Sequence, residues 1–208
     1  MSLRKNASKF INKLKNIAKF ISSFKQTQKG NKKLETKMLN QKLKPLDEWI
    51  LFELNETIKT CLKGYKELNF FIPSNALRNF LWNIFADHYI ELVKTRAYKQ
   101  DKSALFTLHK VLSTTLILLE PIIPQSVQEL YKIYGDINKE LFPELKQQHK
   151  IDFTTQELQE LNSKIWKQKK DNSLSLKSEM SYLKLPKKFK SIAEDLKLCH
   201  NIKQLEFE

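Results

Sequence analysis

The chain has 208 residues, of which 41% are hydrophobic and 29% charged, with three glycines and a formal net charge of +14. That length suits one ordinary domain plus a small second one, and the apolar fraction brings a globular core within reach. The composition excludes a glycine-rich phosphate loop, and no apolar run approaches the ~20 residues of a membrane span, the richest (Thr115 to Ile123) being broken by Pro121.

Charge is concentrated at one end. Residues 1–44 hold thirteen Lys or Arg and one acid, Glu35, for +12, whereas residues 45–208 hold 24 basic and 22 acidic residues, for +2. A localised basic patch gathers polyanions in a salt-dependent way. Nucleic acid, an acidic membrane surface and an acidic protein all suit it, as does a merely soluble lysine-rich helix. The amino terminus lacks the apolar core and small-residue cleavage site of a signal peptide.

In chain order, residues 5–25 predict an amphipathic helix. Phe10, Leu14, Ile17, Ile21 and Phe24 follow 4-3-4-3 spacing, and Ile11 and Ala18 widen the stripe. The opposite face carries Lys5, Lys9, Asn12, Lys13, Asn16, Lys19 and Ser23. Phe20 falls on that polar face, roughly 120° from Leu14 at 100° per residue. A solvent-side ring among cations and amides suits base stacking; the alternative is a ring packed under a neighbouring loop. Residues 26–44 read as an exposed loop with Gly30-Asn31 as a turn.

Asp47 is expected to cap a second helix to about Tyr65, and Ser74 a third and longest one over 75–98. A fourth covers 102–119 and closes at Glu120-Pro121, and Pro124 opens a fifth over 125–134. About five helices joined mostly by short connections make a mainly α chain, a helix bundle over 1–135. Residues 136–150 then form a connector, and 151–208 a small α+β carboxy-terminal subdomain. In that tail, Thr154 to Glu157 matches a capping box before a helix to about Lys170. Tyr182 to Leu185 is a short strand, 189–198 is helical, and Ile202 to Phe207 alternates with the period of a strand.

No catalytic motif emerges. A Walker loop, a His-Glu-x-x-His metal pair and a nucleophile elbow are all missing. His88, His109, His149 and His200 lack ligand spacing, and His88 and His109 read as bundle residues. Cys61 and Cys199 read as reduced thiols, and Cys199-His200 has no second ligand pair, so no metal site is expected. Glu53 with Glu56, and Glu157 with Glu160, read as solvated helix faces. The pattern is that of a binding module.

Four blocks carry a family resemblance. Phe80 to Tyr98, with Trp82, Asp87-His88-Tyr89, Glu91 and Lys94-Thr95-Arg96, resembles the signature helix of the anticodon-binding bundle of class I aminoacyl-tRNA synthetases. Leu46 to Leu51 with Leu54-Asn55, Leu118 to Pro124 with Glu129-Leu130-Tyr131, and Lys13 to Ile21 resemble three further stretches in the same order. The style of the third helix and the tail from Ile165 to Leu176 are most like the valine enzymes; the isoleucine and leucine enzymes are the alternatives. Two positions depart from the pattern, Lys15 where the family has Trp and Lys19 where it has Arg, and Lys lacks the planar fork of Arg.

The resemblance implies a cytoplasmic, monomeric partner of tRNA that reads the anticodon loop of valine tRNA. It also implies that the chain is the carboxy-terminal fragment of a ligase joining valine to tRNA. ATP and magnesium would then serve an upstream catalytic domain of the same chain, since its His-x-Gly-His and Lys-Met-Ser-Lys-Ser signatures are absent here; no cofactor is expected in this fragment. The residues that would meet tRNA are Lys9, Lys13, Asn16, Lys19, Phe20 and Ser23 of the first helix, with Lys94, Arg96 and Tyr98 lining the adjacent groove. Tyr89, Asp87 and Trp82 read as core or structural contacts. Two rival readings need no synthetase: a basic amphipathic helix lying on an anionic membrane, and a helical RNA-binding module of another kind.

Overall fold

A computed structural model describes residues 3–24, 43–145 and 151–208, with side chains from residue 7 onward. The expected loop over 26–44, apart from its last two residues, and His149 lie outside the described residues.

The first helix, α1 (Leu3–Ser22), forms as its periodicity predicts. Its stripe of Leu14, Ile17, Ala18 and Ile21, with Phe24 just beyond its end, is buried in the common core. Most of the apolar face that a membrane surface would need is therefore covered by the bundle. Among the described residues no helix is long and apolar enough to cross a membrane.

The second helix, α2 (Pro45–Lys66), starts two residues before Asp47, with Lys44 as its cap residue and Pro45 in the first turn. Asp47 makes no cap; its side chain is turned into the core. The third, α3 (Phe71–Asn79), likewise starts ahead of Ser74. Asn69 Oδ1 accepts from the Phe71 amide at 3.2 Å, and Ser74, inside the helix, donates its hydroxyl back to the Phe70 carbonyl at 2.6 Å. The two expected caps fail for different reasons: Ser74 bonds back to a carbonyl within the first turn, whereas Asp47 is claimed by partners across the core. Where α2 and α3 cross, Gly64 is obligatory in size, because a Cβ there would stand 2.6 Å from Pro73 Cδ.

The helix beginning at Phe71 continues through a π-helical stretch (Phe80–Ile90) into α4 (Glu91–Tyr98). Hydrophobic periodicity predicts one α-helix here. The wider winding is invisible in the pattern, and such turns recur at functional sites. Next come α5 (Lys102–Leu119), capped by Asp101, whose carboxylate accepts from the Ala104 amide at 2.9 Å, and α6 (Pro124–Tyr131), which ends three residues earlier than expected.

In the tail, α7 (Thr155–Asp171) opens with the predicted capping box: Thr154 Oγ1 accepts from the Glu157 amide at 3.2 Å, and Glu157 Oε2 from the Thr154 amide at 2.8 Å. Strands β1 (Met180–Leu185) and β2 (Ile202–Phe207) pair in parallel from Met180 opposite Ile202 to Leu185 opposite Phe207. A parallel pair needs a crossover, supplied by a 3-10 turn (Lys187–Ile192) and α8 (Ala193–His200). Asn201 closes α8 in the left-handed conformation, φ 50°, which a short amide side chain tolerates. Phe153, Leu158, Leu185, Phe189, Ile192 and Leu196 are buried in the same core as Trp49 and Tyr89, so tail and bundle share one interior.

Candidate nucleic-acid interface

Where α1 ends beside the end of α4, three rings meet. Phe20 lies edge-on to Phe24 (centroids 5.0 Å apart) and to Tyr98 (6.3 Å), and Phe24 is edge-on to Tyr98 (5.4 Å). Phe24 is the buried floor at 4% exposure, Phe20 is half-buried, and Tyr98 stands open at 64%. Phe20 is thus neither a free solvent-side ring nor a ring under a loop. It is propped by two aromatic edges with part of its surface open.

The floor is fixed from below. His109 bridges Tyr134 Oη (3.1 Å from Nδ1) and the Phe24 carbonyl (3.3 Å from Nε2). Burial lowers its pKa, against the pull of the Phe24 carbonyl. A neutral ring that donates from Nε2 and accepts at Nδ1 satisfies both partners.

On the polar face of α1, Lys9, Asn16 and Lys19 are exposed, Lys9 roughly 16 Å along the axis from Phe20, and Ser23, exposed just past the end of the helix, donates its hydroxyl to the Phe20 carbonyl at 2.6 Å. Lys99 and Lys102, also exposed, flank Tyr98 at the α4–α5 turn. Their one sequence signal was adjacency to the family-like helix. Three expected contacts already have partners within the protein. Lys13, about one-third exposed, is paired at the surface, 2.9 Å from Asp87 Oδ1 with its Nζ 5.5 Å from the centroid of the Trp82 ring. Lys94 pairs with Glu91 at 3.2 Å, though it stays partly open. Arg96 lines no groove at all.

Arg96 is buried between Asp47, which its Nη2 hydrogen-bonds, and Asp195, 2.9 Å from its Nε in a geometry that is not a hydrogen bond. Asp47 also accepts from Tyr89 Oη at 2.7 Å and Ser103 Oγ at 2.6 Å. Burial works against the Arg96 charge, but the two carboxylates more than offset it and raise its pKa. The Arg of this Lys-x-Arg, with Asp47, is thus a structural bolt joining α2, α4, α5 and α8. Glu53 is no solvated surface acid either. It accepts from Thr155 Oγ1 at 2.5 Å, the hydroxyl that itself accepts from Trp49 Nε1 at 2.9 Å, and burial raises its pKa against that bond. Glu157, besides its cap, pairs with Lys188 at 2.6 Å.

A second network holds the tail. Asn162, fully buried, donates to His88 Nδ1 at 3.1 Å and accepts from His200 Nε2 at 2.9 Å, with Trp166 stacked on His88. Burial, with the Lys169 charge acting the same way, lowers the His200 pKa to about 4, and burial lowers that of His88 against Asp87. Unfolded histidine titrates near about 6.5, so stability from these neutral rings is complete above that pH and is lost as pH falls toward 4. Asp195 opposes them: burial raises its pKa to about 6 against Arg96, so its contribution is present at low pH and lost as pH rises through 6. The melting temperature is expected to fall between pH 6.5 and 4, and to fall less steeply in His200→Gln. A melting series by circular dichroism across that range checks both.

Cys61 and Cys199 are free thiols that burial pushes up to about 12, which keeps them protonated and unreactive.

Taken together, the shared core, the basic polar face of α1 and the open rings at its end make this a helix-bundle binding module. Residues 47–185 match the model of one family, the anticodon-binding domain of tRNA ligase, and the chain belongs to that family. Among similar proteins, the valine–tRNA ligase of Nanoarchaeum equitans is 34% identical over 200 residues, covering 93% of this chain and 25% of that protein. That of Pyrobaculum aerophilum is 29% identical over 211 residues (95% and 25%), and that of Rickettsia felis 28% over 232 residues (98% and 26%). The chain spans about a quarter of the length of these relatives.

Proposed function

We propose that the chain is the anticodon-reading part of a cytoplasmic valine–tRNA ligase and meets the anticodon loop of valine tRNA at the end of α1. The observation that carries this reading is the Phe20–Tyr98 pair, partly open to solvent over the buried Phe24, with the exposed Lys19 and Lys99 next to its two rings in the chain. Unstacked loop bases are the part of RNA that proteins read by sequence. In this reading Phe20 and Tyr98 stack bases, Lys9, Lys19 and Lys94 hold phosphates, and Asn16 and Ser23 bond base edges or sugar.

The named relatives support valine as the amino acid. ATP, magnesium and the ligation step belong, in this reading, to a catalytic domain of the same monomeric ligase, within the part of the relatives' length that this chain does not span. Among the described residues there is no group of three His, Cys, Asp or Glu able to hold a metal ion.

The test is a titration of the chain against two valine-tRNA transcripts, one native and one with only the anticodon replaced, with Phe20→Ala and Tyr98→Ala as variants. The native transcript is expected to bind more tightly. Each substitution should weaken that binding by about 1–3 kcal/mol, the worth of one base–aromatic stack, while the chain stays folded, Tyr98→Ala melting close to the parent and Phe20→Ala, which loses a half-buried ring, somewhat below it. Equal, steeply salt-dependent binding of both transcripts would reduce the face to a non-specific cationic surface.

A further inference from the structure

A second constellation of ring, amides and cation lies on the outer face of α3 and the π-helical stretch. Asn75, Arg78, Asn79, Trp82 and Asn83 line an open groove of about 440 Å³. It is a different surface from the Phe20–Tyr98 pair. Trp82 and Tyr98 are sixteen residues apart on one continuous helix. Lys13, which meets Trp82, precedes Phe20 by seven residues on α1, roughly 10 Å along the axis. The exposed Asn16 and Lys19 of α1 fall between the two.

Several features set this groove apart from an ordinary solvated helix face. Trp82 is only partly buried, and its ring is held by the Lys13 ammonium, itself anchored on Asp87. Asn83 Nδ2 donates to Asn79 Oδ1 at 2.8 Å. That bond orients both amides and leaves one amino group and one carbonyl oxygen directed to other partners. Arg78 is exposed and has no carboxylate partner among the described residues. The groove also opens where the helix changes from α to π winding, a rare arrangement that recurs at functional sites.

A ring for a base face, amides for a base edge and a guanidinium for a phosphate are what recognition of an unstacked nucleotide requires. An apolar peptide would find three amides and a single ring.

Building on the reading that this chain binds RNA, we propose that the groove takes an unstacked nucleotide of the same RNA that the Phe20–Tyr98 face engages. The base lies on Trp82, Asn79 and Asn83 bond its edge, and Arg78 holds its phosphate.

The experiment measures binding of the 208-residue chain to an anticodon stem–loop RNA across a salt series, and to AMP alone. The variants are Arg78→Ala, the pair Asn79→Ala with Asn83→Ala, and the face pair Phe20→Ala with Tyr98→Ala. Arg78, Asn79 and Asn83 are exposed, so their substitution leaves the fold intact, which an unchanged melting curve verifies. The Trp82 signal is the difference in fluorescence between the parent chain and Trp82→Phe. Expected are a loss of roughly tenfold in RNA affinity for each groove variant, a salt slope lower by about one for Arg78→Ala, and saturable quenching of Trp82 by RNA.

Groove variants that bind like the parent while the face pair binds weakly would overturn the proposal and leave the anticodon face standing. Weakened groove variants beside an unaffected face pair would support the groove and sink the face. Saturable quenching of Trp82 by AMP with none by RNA would assign the groove to free nucleotides and overturn its assignment to the RNA chain.

Discussion

Replacing Arg96 with alanine is expected to cost about 3–5 kcal/mol of folding stability, measured by urea unfolding at pH 7.5. The magnitude comes from leaving buried carboxylates without their cation: Asp47 is wholly inaccessible and Asp195 is 5% exposed. Arg96→Lys should recover only part of the loss, because one ammonium cannot serve two carboxylates on different helices as a guanidinium fork does. At temperatures well below the variant's unfolding midpoint, RNA affinity should remain within about twofold of the parent. A stability loss under about 1 kcal/mol, or a loss of RNA affinity in the fully folded variant, would refute the structural role and return Arg96 to the binding face.

Lys169→Met is expected to be nearly as damaging, on the order of 3 kcal/mol, because it removes one partner from several buried acceptors at once. Lys169 is fully inaccessible and, among the described residues, is paired with no carboxylate; its ammonium instead donates to the carbonyls of Leu176 (2.9 Å), Ser178 (2.7 Å) and His200 (2.6 Å). Burial lowers its pKa. His200 is the last residue of α8, so the ammonium also sits at the negative end of that helix. One side chain therefore ties α7, the loop before β1 and the carboxy-terminal end of α8 together. Methionine keeps the stem and loses all three bonds. Hydrogen exchange should show the loss localised to residues 172–207, with α1 and α5 protected as before. Uniform loosening of the whole chain would mean that Lys169 supports the bundle rather than the tail.

Neither role was legible from the residues. Arg96 stood in a Lys-x-Arg pattern next to Tyr98, and in a basic chain a cation beside an aromatic reads as an RNA contact. Lys169 was one lysine in the run Lys167-Gln168-Lys169-Lys170, and nothing local marks which of its members turns inward. Asp47 and Ser74 looked like helix caps because the cap signal is only residue type and position, and both residue types also bond within a first turn or across the core. Trp82 read as a core or structural contact; its contact with Lys13 fits that reading, and the groove its ring also lines was not legible, since the shift from α to π winding leaves no mark on hydrophobic periodicity.

Local periodicity and residue type were enough to set several elements of this chain. The amphipathic stripe of α1, the long helix through Trp82 and Tyr89, the Thr154–Glu157 capping box and the alternating strand at 202–207 all depend on neighbours within a few residues. The concentration of charge in the first 44 residues belongs with them. Which cations stay free to meet a polyanion, by contrast, was settled by packing between distant elements. Lys9 and Lys19 remain exposed, while Lys13, Arg96 and Lys169 are taken up by Asp87, by Asp47 with Asp195, and by three carbonyls. For Arg96 and Lys169 the reason is physical: a buried charge must be paired or solvated by dipoles. Here those partners come from elements far apart in the chain or from a folded loop, and no pattern along the sequence records where folding will bring them.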